Sequence, residues 1–374
     1  MLFFELIQVA LGRRQQLSLT PSASEWQHLF QLSMQHALLG ICYQGVLHLP
    51  HEQWPSEELL VDWIWQTQRI REQNELLSAR CAEVCSRLDN DGFDTCLLKG
   101  HSNARLYGAL ADLRQPGDID VWVTPKHFVS FRSARRQTID YVRSLFPDAL
   151  LRYHHIEFPL LSDAEVELHF VPIYLNNPRL NRRLNHWYRQ QLDRQMQHRA
   201  SMSGYEVAQP TPEFNLLYQL LHIYKHIFEE GIGLRQLMDY YFVLTSDEFR
   251  PSSTDLQHTA VMLRRLRLER LAGAVMYVLQ EVMALPADRL LCPPLKGEGL
   301  ALLSEIMQSG NFGHYDSRGE NTDSGRDLRS QLHRYWRKTK RNIVLSYYYP
   351  HEGLFEPLFH LYHYLWQILN LWKM

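Results

Sequence analysis

The residues best suited to chemistry are Asp118 and Asp120, in the run Gly117-Asp118-Ile119-Asp120-Val121-Trp122-Val123. Ile119, Val121 and Val123 alternate with Asp118, Asp120 and Trp122, the period of a half-buried strand. Residues two apart on a strand share a face, about 6–7 Å apart along the chain. Two carboxylates on one face repel unless a cation lies between them. A divalent metal is the usual answer, since Mg²⁺ takes oxygen ligands from one or two carboxylates plus substrate phosphates. The plainer reading is an exposed strand end with solvated acids, and Asp-x-Asp alone does not choose.

A second stretch repeats the pattern. Val166, Leu168 and Phe170 alternate with Glu165, Glu167 and His169. Adjacent strands lie about 4.8 Å apart, so Glu167 would complete a three-carboxylate cluster, with Glu165 as its rival. Upstream, Leu97-Leu98-Lys99-Gly100-His101-Ser102 ends a strand and starts a helix. A glycine there lets backbone N–H groups approach a phosphate, and a helix N-terminus favours an anion. Lys99 would neutralise phosphate charge. The alternative is a plain strand-to-helix turn with a surface lysine.

Histidines are abundant, 19 in all, so each must be weighed. His154, His155 and His169 fall on expected strands, where a histidine is more often packed or exposed than a ligand. His222 and His226 are i, i+4 on one helix face, a spacing that can ligate zinc. No Glu-x-x-His arrangement or nearby cysteine supports that, and the expectation is that they line a cleft or hydrogen-bond Asp239 and its neighbours.

Leu98-Lys99-Gly100, then Leu106-Tyr107, Arg114 and Gly117-Asp118-Ile119-Asp120, followed by Glu167-Leu168-His169, form an ordered set. That set resembles an uncharacterised bacterial branch of the DNA polymerase β-like nucleotidyltransferase superfamily. The likeness extends more loosely to His222, His226 and Gly233-Leu234-Arg235 with Asp239. Only residues 97–123 and 165–170 carry specific motifs. The chain departs from the superfamily in having Gly100-His101 where Gly-Gly or Gly-Ser is usual. It also has glutamate at the third acid position. The resemblance implies Mg²⁺-dependent transfer of a nucleoside monophosphate from an NTP to an acceptor, with Mn²⁺ as a second suitable ion. Two metals about 3.5–4 Å apart would stabilise the attacking and leaving oxygens. Asp118 and Asp120 would bridge both ions, and Glu167 would bind the catalytic one. Lys99, Gly100 and Ser102 would hold the triphosphate. Arg114 would approach the phosphates or the aspartate pair, or else form a structural salt bridge.

Around these motifs the expected class is α+β: a nucleotidyltransferase-like mixed sheet flanked by N-terminal helices and a C-terminal helical domain. The boundaries are an N-terminal helical segment at 1–92, the core at 93–210 and the helical domain at 211–374. A flexible loop is expected at about 308–330. Pro55-Ser56 opens a long helical pattern that stops at Asn90-Asp91-Gly92. Thr124-Pro125 is read as the start of a helix through about Phe146, residues 150–161 as a strand, and 253–285 as one helix. Residues 93–171 hold at least four strands.

Hydrophobic residues at 45% and charged ones at 21% exclude a disordered chain. A net charge of -2 excludes bulk electrostatic binding of nucleic acid. Five scattered cysteines with no C-x-x-C pair fit a reducing cytosol, so a cytoplasmic location is expected. The N-terminal apolar run precedes its basic residues and is read as an amphipathic helix over 2–13, not a targeting segment. Leu354–Trp372 is about long enough to span a bilayer. A stripe of His360, His363, Gln367 and Asn370 instead makes it a packing helix, with a membrane-surface helix as the alternative. No transmembrane segment is expected.

The acceptor is where the sequence stops. Arg179, Arg182, Arg183, Arg189, Arg194 and Arg199 are interleaved with Trp187 and Tyr188. Arg264, Arg265, Arg267 and Arg270 form a second basic cluster, and Arg334, Arg337, Lys338, Lys340 and Arg341 a third. Arginine with aromatics suits a nucleic-acid strand, but the pattern also describes a solvated helix face. A small molecule, a protein and RNA all remain candidate acceptors. A non-catalytic nucleotide- or partner-binding descendant of the fold and a toxin-like tRNA-modifying transferase are the alternatives. Three acids buried without a metal would be costly, which weighs against the first of these.

Overall fold

The computed structural model describes residues 1–229, 231–247, 252–311, 339 and 342–371. It is an α+β protein in which a small mixed sheet is surrounded by helices. Four N-terminal helices, α1 (Leu2–Ala10), α2 (Ala23–Gln35), α3 (Leu39–His48) and α4 (Glu57–Asn90), precede the sheet. The long α4 starts where Ser56 accepts a hydrogen bond from the Leu59 amide. It ends before Gly92, whose φ of 89° suits glycine.

The sheet has the order β1 (Phe93–Leu97), β2 (Ile119–Pro125), β4 (Val166–His169) and β3 (His155–Glu157). β1 and β3 run antiparallel to their neighbours, while β2 and β4 are parallel. Ile119, Val121 and Val123 point to one face, where they join Val84, Cys85 and Leu88 of α4 in a core. The opposite face carries Asp120 and Trp122. Trp122 is sealed there by Tyr188 and Phe214, from α7 (Pro178–Gln197) and α8 (Pro212–Glu229).

Later helices among the described residues include α9 (Leu234–Thr245), α10 (Ser253–Leu266), α11 (Glu269–Met283), α12 (Lys296–Ser309) and a C-terminal helix, Glu356–Leu371. A larger apolar core joins both ends of the chain: Phe3, Leu6 and Val46 share it with Leu279 and Val282. Gln8 fastens α1 to α11 through the Glu281 and Val282 carbonyls. The N-terminal helices and the later helical region therefore share one core.

Several boundaries differ from those read in sequence. β2 continues through Thr124 and Pro125 because both pair with β1, so the next helix, α6 (Phe131–Leu145), starts only at the Ser130 capping box. The strand over 150–161 shrinks to β3 with an isolated bridge at Leu151. The helix over 253–285 is two helices, parted at Arg267, whose φ is 60°. A hairpin, β5 (Arg199–Met202) and β6 (Tyr205–Ala208), turns at Ser203-Gly204, both at positive φ. Its strands are only four residues each, too short for alternation to mark them. The loop expected at 308–330 and the third basic cluster lie almost wholly outside the described residues.

Candidate active site

Asp118 enters from the loop before β2, and Asp120 stands two residues on, on the same face. The parallel register sets Asp120 opposite Glu167, which brings Glu167 rather than the exposed Glu165 to the aspartates. Two cations sit among these acids. Lys99 Nζ lies 3.2 Å from Asp118 Oδ2 and 2.9 Å from Asp120 Oδ2. His169 Nε2 lies 2.8 Å from Asp120 Oδ1 and 3.2 Å from Glu167 Oε2. Asp120 is buried, while Asp118 and Glu167 keep 32% and 27% of their side chains exposed, so the cluster opens on that side.

The electrostatics follow from this arrangement. Burial opposes charge on Asp118, but the Lys99 ammonium outweighs it and holds the carboxyl below the usual carboxylate range. Burial likewise opposes charge on Glu167, and the His169 hydrogen bond reverses the balance, lowering its pKa. His169 itself, despite burial, is pushed up to about 9 by hydrogen bonds to Asp120 and Glu167, so it is protonated at neutral pH. Burial lowers His155 to about 4 and His154 well below its ordinary value. Lys99 and His169 thus share the three acids, and the Arg235 guanidinium adds a further pull on Asp118.

The loop before Asp118 is pinned from three sides. Asn74 of α4 donates to the Asp112 and Arg114 carbonyls, both at 2.8 Å. Arg235 of α9 donates to the Gln115 and Pro116 carbonyls at 3.2 and 3.0 Å. Arg114 grips Asp239 of α9 with two bonds of 2.7 and 2.8 Å, and Tyr107 Oη donates to the same carboxylate at 2.6 Å. Of the readings open for Arg114, the structure shows the structural salt bridge, with Asp239 as its buried partner. Asn74 and Arg235 were missed as anchors. Asn74 had one signal, a polar residue in phase with the buried Ile70, Leu77 and Cys81 of α4.

Around Gly100 the expected phosphate turn takes a particular form. Gly100 has φ 67° and ψ −114°, a conformation that L side chains rarely adopt. The helix it opens, α5 (His101–Ala104), is a single turn, so its dipole is small. Ser102 is buried and its hydroxyl donates back to the Lys99 carbonyl at 3.5 Å. Lys99, expected on the triphosphate, is turned to the acids.

The model of a family described as an uncharacterised nucleotidyltransferase matches residues 22–284, well over half of the chain. The protein belongs to that nucleotidyltransferase family. Its match runs from α2 to the end of α11 and so includes the acid cluster, its two cations and the anchors from α4 and α9. Among solved structures the chain is similar to an antigenic nucleotidyltransferase-like protein from Paracoccidioides brasiliensis. The identity is 16% and the TM-score 0.32, over 56% of this chain and 92% of that one. No curated protein matches the chain.

In this nucleotidyltransferase-family chain the first two basic clusters meet at one groove. Arg182, Arg183 and Arg189 of α7 and Arg265 of α10 line a cavity of about 1160 Å³ with Trp187 and Phe359. Part of that charge is engaged: Arg183 donates to the Arg265 carbonyl and Arg189 lies over the Phe131 ring. His222 and His226 pair with each other at 2.9 Å between their Nε2 atoms. Among the described residues, no helix is long and apolar enough to cross a membrane.

Proposed function

We propose that this protein is a metal-dependent nucleotidyltransferase that moves an NMP group from an NTP to an acceptor not yet identified. The observation that carries the reading is that Asp118 and Asp120 share one cation, Lys99, while the register of β2 on β4 sets Glu167 beside Asp120. Their donor set suits a hard divalent ion. Asp120, Glu167 and His169 bring ligand atoms within 4.8 Å of one another, and the aspartate oxygens already converge on a cation, the Lys99 ammonium. Carboxylate oxygens favour Mg²⁺ or Mn²⁺. In this reading Asp118, Asp120 and Glu167 hold the metal, which when bound supplies charge to the phosphoryl oxygens.

The chain's own residues do the rest. With a metal held by the aspartates, which now contact Lys99, the lysine would be free of them, and its flexible stem would carry the ammonium to the triphosphate. Gly100 lets the chain turn there, and Ser102 lies buried two residues on. Glu167, once free of His169, accepts the proton of the attacking hydroxyl. Arg114 and Asp239 position the loop that delivers Asp118.

One observation favours a second reading. Lys99 already satisfies both aspartates, as an internal cation would in a non-catalytic nucleotide-binding descendant. The decisive experiment offers labelled NTPs, Mg²⁺ and mixed acceptors to the wild type and to Asp118→Asn and Asp120→Asn. Metal-dependent labelling in the wild type alone supports transfer. Mg·NTP binding that is unchanged in both variants removes the site assignment, and metal-independent nucleotide binding without transfer supports the second reading.

A further inference from the structure

Beside the acids, His154, His155 and His169 form a triangle of imidazoles. Ring centroids are 4.6 Å apart for His154 and His155, 5.1 Å for His154 and His169, and 5.2 Å for His155 and His169. One ring nitrogen from each lies within 4.8 Å of the other two. Hydrogen bonding does not account for the grouping. His154 Nε2 and His155 Nδ1 are 3.4 Å apart, longer than the usual range for such a bond. The Nδ1 atom of His169 is buried with no hydrogen-bond partner, a costly state for a ring nitrogen.

A metal accounts for it better. Tetrahedral zinc with bonds of about 2.0–2.1 Å to histidine sets neighbouring ligand atoms about 3.3–3.4 Å apart. His154 Nε2 to His155 Nδ1 has that separation, and Glu167 Oε2, 3.3 Å from His155 Nδ1, offers a fourth donor. We propose that His154, His155 and His169 form a nitrogen-donor site for a borderline divalent ion such as Zn²⁺, adjoining the carboxylate site and sharing Glu167 with it. Imidazole suits zinc, whereas carboxylates suit magnesium. Such an ion would tie the three-residue edge strand β3 to β4. It would also draw on His169, whose binding to the ion displaces the proton it now shares with Asp120 and Glu167. The His222–His226 pair lacks a third ligand within that reach among the described residues.

The site does not depend on the nucleotidyl-transfer reading, and its test is separate. Full-length protein stripped with chelator is titrated with Zn²⁺ against a chromophoric competitor. One tight equivalent is expected. His154→Gln and His155→Gln should each weaken it by more than the roughly 10–100-fold that loss of an outer-shell partner costs. His222→Gln and Asp118→Asn should leave it unchanged. Because a histidine variant can misfold, Cu²⁺-loaded wild type is also read by electron paramagnetic resonance, where couplings to three imidazole nitrogens are expected. The proposal falls if no tight equivalent binds, if both histidine variants bind as the wild type does, or if fewer than three nitrogens couple. Loss of transfer in Asp118→Asn with zinc affinity intact would separate the two sites, and absence of transfer in every protein would leave the zinc result standing.

Discussion

Replacing Lys99 with methionine keeps much of the side chain's volume and removes the ammonium that touches both aspartates. At an effective dielectric of about 20, a contact near 3 Å between unit charges is worth about 5–6 kcal/mol. Most of that is offset by the desolvation of Lys99, whose side chain is only 14% exposed. The share from Asp118 is further screened, since that side chain is a third exposed. Asp120 has no such relief, and removing Lys99 leaves its buried carboxylate to His169 alone. The net loss expected at neutral pH in EDTA is about 3 kcal/mol. Mg²⁺ can supply the missing charge: at about 100 times its dissociation constant, binding to the folded state alone restores about 2.7 kcal/mol. Urea denaturation of both proteins, in EDTA and in saturating Mg²⁺, measures each quantity. The gap should open in EDTA and nearly close in Mg²⁺, and Mg²⁺ should bind the variant more tightly because no ammonium has to leave. Equal stability in EDTA, or equal stabilisation of both proteins by Mg²⁺, would show that lysine and metal do not share those oxygens. The metal assignment would then fail.

Glu167→Gln should abolish transfer while Glu165→Gln is nearly silent, as a labelled-NTP assay will show; equal losses would contradict the register of β4 on β2. Asp239→Asn leaves the buried Arg114 facing an amide and should cost about 3–5 kcal/mol in urea denaturation. Removing the ion pair with Arg114→Met and Asp239→Leu together should cost less than Asp239→Asn alone. The His169 pKa is raised on folding, from an ordinary value near 6.5 to about 9. Its contribution to stability is therefore fully present below about pH 6.5 and is lost as pH rises through 9, about 3 kcal/mol in all. Denaturation across that range in EDTA should show the decline, and His169→Gln should flatten it.

Much of the site was legible in the chain because strand alternation is local. A period of two puts Asp118 with Asp120 and Glu167 with His169, whatever surrounds them. A helix start with a local chemical cause was legible too, at Ser56 before α4. Where local cues misled, pairing had overruled them: Thr124-Pro125 reads as a helix opening, yet its strand partners lie some thirty residues upstream in β1. The charge partners could not be read at all. Nothing in the sequence around Lys99 distinguishes an ammonium aimed at phosphate from one aimed at Asp118 and Asp120, because the choice depends on how β1 lies along β2. Arg114 meets Asp239 across 125 residues of chain, and Asn74 reaches the loop from another helix. The three histidines become neighbours only when β3 pairs with β4. The sequence by itself determined which acids share a face, since backbone geometry repeats every two residues. Only the tertiary structure decided which cations neutralise them and what holds them in place, since those contacts join segments that no local rule relates.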